Sequence, residues 1–246
     1  MRESDKFDIS SAGLHIFAMA VMLCDHIGMV LFPQAAWMRS VGRLAFPTFA
    51  FLLVEGFCHT KNFTKYVGRM LVCALISEAP FDLVSSGRLV NFSHQNVLWT
   101  FLIALFLMRA TEQYRSHPGK RFQVMLVIWI VLGFFLGEAL ATDYSGAGVL
   151  MVLVFYFFRE RTPASLAMQF VFLIILNAFF VPSVFISVFG FEIPQQALAV
   201  LALPLIWLYQ GRQGYHTQGF QYLCYAFYPC HALILGYCGL VFWGML

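Results

Sequence analysis

The chain has 246 residues, 61% of them hydrophobic and 11% charged, with a net charge of +3. Soluble domains carry roughly a quarter charged residues, and no stretch here is polar enough to form one, so a soluble enzyme or binding module is excluded and nothing points to nucleic acid as a partner. The composition predicts an all-α polytopic transmembrane bundle that occupies residues 1–246 as a single domain in the lipid bilayer.

Arg2 and Lys6 precede the first apolar run, like the charged start of a signal peptide. The run is long and lacks a small-x-small cleavage site, so it reads as a retained first helix. Apolar runs between polar or Pro/Gly breaks predict nine helices, over 13–32, 44–60, 67–84, 96–113, 121–140, 145–159, 164–181, 195–210 and 220–242. The sixth and eighth fall below the roughly 17 residues that span comfortably. They are expected to stop short or to border a cavity. The segment 182–194, PSVFISVFGFEIP, reads as an interfacial loop or a re-entrant piece. No internal repeat of the kind that builds many transporters is visible, and no helix shows a convincing GxxxG face.

Nine helices with the N-terminus inside put Arg2, Lys6, Lys61, Lys65, Arg69, Arg109, Arg115, Lys120, Arg121, Arg159, Arg161 and Arg212 at cytoplasmic ends, which is 12 of the 15 basic residues. Only Arg39, Arg43 and Arg88 remain outside. The positive-inside rule therefore predicts N-in and C-out. The six cysteines, Cys24, Cys58, Cys73, Cys224, Cys230 and Cys238, have no metal-type spacing and are expected to be small buried hydrophobes. No metal site is expected.

Ionisable groups at bilayer depth are costly unless partnered, which makes each a functional candidate. Here they gather towards one leaflet: Asp25 and His26 in MLCDHIGM, Arg43 in VGRLAFPTFAF, His94 and Asn96 before the fourth helix, and Asp143, Tyr144 and Ser145 before the sixth. His231 in YAFYPCHALILG follows Pro229, which removes a backbone donor and should kink the last helix. Asp25 and His26 are adjacent, so they point about 100° apart and need partners on other helices. Arg43 is expected to pair with Asp25, tying two helices, or to stabilise an anionic intermediate. Glu55 and Glu78 either line a polar path or pair with a base. Lys61, Lys65 and Arg69 form a basic cluster that anchors topology against anionic lipid or docks a phosphorylated cosubstrate. Gly-rich phosphate loops, GxSxG elbows and HExxH sequences are absent.

The segments LHIFAMAVMLCDHIGMVLFP, MRSVGRLAFPTFAFLLVEGFCHTKNFTKYVGRMLVCALISEAPFDL, NVLWTFLIAL, YSGAGVLMVLVFY and FYPCHALILG together resemble the TraX family, membrane proteins of bacterial conjugation associated with pilin acetylation. The family is similar to a wider group of transmembrane acyltransferases. The resemblance implies a multi-pass protein of the inner (plasma) membrane that takes an acetyl group from cytosolic acetyl-CoA. The acceptor it implies is an amine or hydroxyl at the outer face: the pilin N-terminal amine, another exported peptide, or a glycan. The EGFCHTKN stretch, with Glu55, His59 and Lys61, resembles the branch found outside conjugative plasmids, which weighs against pilin itself. On this reading His26 or His231 is the base, Asp25 sets the tautomer, and Arg43 or Asn96 holds the oxyanion. Lys61, Lys65 and Arg69, with Asn96 and Tyr228, hold the cosubstrate. Two other readings compete: a transporter or flippase of a small polar or lipid-linked solute, and an assembly factor without catalysis.

Overall fold

The computed structural model describes residues 8–115, 119–188 and 190–243. Arg2 and Lys6 lie outside them. Helix α1 (Ser11–Val30) starts where the Ser10 hydroxyl accepts from the Gly13 amide, 3.1 Å away. The expected second helix arrives in two pieces, a short α2 (Ala36–Gly42) and α3 (Ala45–His59), with the break at Arg43 and Leu44. Asn62 caps α4 (Phe63–Ser86), which ends at Gly87 in the left-handed conformation that glycine adopts without steric cost. Then follow α5 (Val97–Arg115), α6 (Lys120–Ala139) and α7 (Ser145–Phe157). Thr162 caps α8 (Pro163–Ile175), which widens into a π-turn over Leu176–Phe180.

The segment that read as a loop or a re-entrant piece is a β-hairpin, β1 (Phe185–Val188) antiparallel to β2 (Phe191–Pro194). Its alternating aromatic and β-branched residues suit a strand, and Gly190 at φ +85° supplies the turn. A 3₁₀ stretch, Gln195–Ala202, runs into α9 (Leu203–Leu208). The last helix, α10 (Gln218–Phe242), carries Pro229 in its interior. Every expected helical stretch thus has a counterpart, and among the described residues five helical stretches are long and apolar enough to cross a membrane, with α2 and α3 taken together and α8 with its π-turn.

α7 is the centre of the bundle, buried from Gly146 to Tyr156 apart from Leu150 and packed between α3 and α5. α6 is inside-out by soluble standards: it buries only Gly133 and Gly137 while Val127, Ile128, Val131 and Phe135 are exposed. A Cβ on Gly133 would lie 2.3 Å from Leu107, and one on Gly137 would lie 2.7 Å from the backbone of α7. Gly133 and Gly137 therefore form a GxxxG face, contrary to the expectation of none, and it serves packing within the chain. The exposed apolar flank is what a bilayer covers, and the chain is a membrane protein. The same exposure corrects the cysteine expectation: Cys73 is buried, whereas Cys58 and Cys230 are exposed.

The two ends of the bundle differ in charge. At the end holding the start of α1, Arg212 pairs with Asp8 (2.9 Å) and Arg159 with Glu55 (2.7 Å). Lys61, Lys65, Arg69, Arg109, Arg115, Lys120, Arg121 and Arg161 share this basic end by their places at helix termini. Arg39, Arg43 and Arg88 lie at the other, with the hairpin.

Candidate functional site

Where α1 nears its end it meets α2 and the segment behind the hairpin. Asp25 is buried there, 9% exposed, between two arginines. Its Oδ1 accepts from Arg43 Nη2 at 2.7 Å and its Oδ2 faces Arg39 Nη1 at 2.9 Å. Arg43 also donates from Nε to the Arg39 carbonyl (2.9 Å) and from Nη1 to Gln196 Oε1 (2.8 Å). The neighbouring Gln195 amide donates to the Ala36 carbonyl and the Ser40 hydroxyl, clipping this segment onto α2. Gly42 makes the approach possible, since a Cβ there would fall 2.2 Å from Asp25 Oδ1. Two guanidiniums thus converge on one carboxylate, and Asp143 stands within electrostatic reach of all three.

One residue further along α1, His26 meets His231 of α10, with Nδ1 and Nε2 2.7 Å apart. The rings lie within 16° of parallel with centroids 4.9 Å apart, and with the nitrogens so close this is an edge-to-edge contact in a shared plane. Its direction follows from the far side. His231 Nδ1 lies 2.7 Å from the Phe227 carbonyl, which only accepts, so that nitrogen carries the proton. In the neutral pair His231 Nε2 is therefore the acceptor, His26 Nδ1–H the donor, and His26 Nε2 is left with a free lone pair. Among the described residues nothing in the protein bonds to it. The proline contributes as well: Tyr225 O, which Pro229 has no amide to meet, accepts from the Cys73 thiol at 3.5 Å.

A cavity of about 600 Å³ runs from the basic end towards this pair and stops short of it, with neither histidine in its lining. Arg69, His15, His59 and His216 line it along with Met22, Cys73 and Tyr228. Met22 is one turn before His26, and the Tyr228 ring lies 5.8 Å from that of His231. The other sequence-derived ligands scatter. Lys61 lines a separate cavity, and Lys65 is exposed and borders neither. Asn96 is corrected from a site role to a structural one. It is fully buried, its amide donates to the Ala74 carbonyl and to Glu78, and its Oδ1 accepts from the Leu98 amide (3.0 Å), starting α5. Glu78 also accepts from Trp99 Nε1 (2.8 Å), while Glu55 is held by Arg159.

Arg39, Gln195 and Gln196 were missed in the sequence. Arg39 reads as one more helix-end cation, and the adjacent glutamines after Pro194 were the available signal. Outside the helices His94 lies 3.5 Å from Asp143, whose hydrogen bond holds the imidazole pKa above its ordinary value. Tyr144, at φ 63°, stacks on Phe46 with centroids 4.0 Å apart.

The sequence model described as TraX protein matches residues 10–238. The probable fimbrial assembly protein FimC, serogroup H1, of Dichelobacter nodosus is 30% identical over 251 aligned positions, covering 94% of this chain and 96% of that protein. No solved structure matches.

Proposed function

The chain belongs to the TraX family, and from that premise we propose that it is a membrane acetyltransferase moving an acetyl group from cytosolic acetyl-CoA to an acceptor amine presented at the opposite face. The observation that carries the reading is the directed pair, in which a backbone carbonyl orients His231, His231 orients His26, and His26 Nε2 is free to take a proton. A general base needs that free lone pair, and a neutral imidazole supplies it.

In this reading the basic end faces the cytosol, in keeping with the positive-inside rule, and the protein lies in the inner membrane. The pantetheine arm of acetyl-CoA enters the cavity past Arg69 and reaches Tyr228. The acceptor nitrogen attacks the thioester carbon and forms the C–N bond. His26 Nε2 takes the proton that nitrogen sheds, the C–S bond breaks, and the thiolate leaves to be protonated as free CoA. The oxyanion that forms on the way is met by a guanidinium beside Asp25. Arg39 replaces Arg43 in that role: Arg43 already donates to three partners, whereas Arg39 keeps donors free and is the more exposed. Asp25 holds the arginines and does not touch His26. The Dichelobacter relative is a probable fimbrial assembly protein, which favours a fimbrial subunit as the acceptor.

The test is acetyl-CoA binding and thioester consumption by purified protein in nanodiscs. Consumption is expected in the wild type and lost in folded His26→Ala. His231→Gln, whose amide oxygen can accept the same proton, should keep activity that His231→Leu loses, because His231 acts by positioning. Absence of acetyl-CoA binding would overturn the reading and bring forward transport of a small solute.

A further inference from the structure

We propose that a second cavity at the basic end binds a phosphate-bearing anion, apart from the cavity that leads towards the histidine pair. The last turn of α3 divides the two spaces: Gly56 and His59 line the first cavity, whereas Phe57 and Cys58 line the second, of about 500 Å³. Four cations border the second cavity, Lys61, Arg109, Arg115 and Arg159, against Glu112 and Glu160. Their pairings are unequal. Arg159 is taken by Glu55, at 2.7 and 3.3 Å. Glu112 accepts from the Tyr156 hydroxyl at 2.6 Å and faces Arg115 at 3.6 Å.

Lys61 and Arg109 have no acidic partner among the described residues. Arg109 lies over the Phe63 ring, 5.6 Å from its centroid, a contact that fixes the guanidinium without neutralising it. A fixed guanidinium and an ammonium opening on one recess are the donor set for a phosphate, the first as a planar fork and the second as a point charge. Two sources carry that chemistry. Phe63 packs edge-on against Phe106, which is 56% exposed on the flank of α5, so an apolar track leads from the cavity to the bilayer and suits an anionic phospholipid. The phosphates of a soluble nucleotide are the other.

Thermal unfolding of the full chain in non-ionic detergent separates them, with short-chain phosphatidylglycerol, short-chain phosphatidylcholine and adenosine 3′,5′-bisphosphate as probes. Phosphatidylglycerol should raise the melting temperature and phosphatidylcholine should not. The affinity should fall about thirty-fold in Lys61→Met/Arg109→Gln, some five-fold per cation. Lys61→Met alone removes an exposed side chain that supports no packing, and tests the site even if the double variant misfolds. A shift by the bisphosphate with the same dependence on both residues assigns the site to the nucleotide instead. No shift with either anion, an equal shift with phosphatidylcholine, or a shift that survives Lys61→Met undiminished overturns the proposal.

Discussion

Each end of the bundle buries a carboxylate beneath arginine, with different consequences. Glu55, 8% exposed, receives one guanidinium through two hydrogen bonds, and the pair is neutral, joining α3 to the chain just past α7. Asp25, 9% exposed, receives two, with Gln196 steadying one of them, beside an imidazole whose lone pair is free. A neutral clasp ties elements together. A carboxylate that holds two guanidiniums next to a base fixes hydrogen-bond donors of the kind acyl transfer uses.

The largest expected effect contrasts the two ends in chemistry: His26→Ala should lower acetyl transfer about 10²–10⁴-fold, while Glu55→Gln leaves it within about ten-fold. Equal losses in folded proteins, measured by thioester consumption, would break the distinction. Next is stability. Asp25→Ala takes the carboxylate from Arg43, whose side chain is 12% exposed, and from the half-buried Arg39, and should cost about 3–5 kcal/mol. Glu55→Ala frees Arg159, whose side chain is 40% exposed, and should cost about 1.5–3 kcal/mol. Denaturant unfolding in detergent compares them, and a larger loss for Glu55→Ala would reverse the ranking.

Two glycines sharpen the comparison without touching a charge. Gly42→Ala drives a Cβ into Asp25 and should destabilise by about 1–3 kcal/mol while disturbing both arginine contacts. Gly68→Ala, at the basic end, meets open space and should be neutral or stabilising by up to about 1 kcal/mol. The smallest effect is the pH response of His94. Its pKa is raised by Asp143, so the pairing contributes fully below the ordinary histidine value of about 6.5 and is lost as pH rises through the raised one. NMR titration should place His94 above that ordinary value and return it there in Asp143→Asn.

Much of this was legible early because the bilayer imposes simple demands. Apolar runs must become helices when backbone polar groups have no water to bond, and the expected stretches found them, the two short ones included. Asp25, His26, Arg43 and His231 were singled out by rarity alone, since charges at that depth need a reason. The departures share a cause. The break at Arg43, the 3₁₀ and π stretches and the hairpin depend on what each segment packs against, and local propensity does not carry that information. Asn96 has the residue type of an oxyanion donor, but its neighbours on α4 and α5 use every polar atom it has. Lys61, Lys65 and Arg69 are close in sequence, yet the turn of α3 sends Lys61 and Arg69 to different cavities.

By itself the sequence determined the membrane class, the helical succession, the basic end, and the rare polar residues, because each follows from composition and period along the chain. Only the tertiary structure decided that His26 faces His231, that Arg39 and Gln196 complete the Asp25 cluster, and which imidazole nitrogen stays free. Those depend on contacts between residues up to 205 positions apart, and a hydrogen bond's direction is settled by the groups at both of its ends.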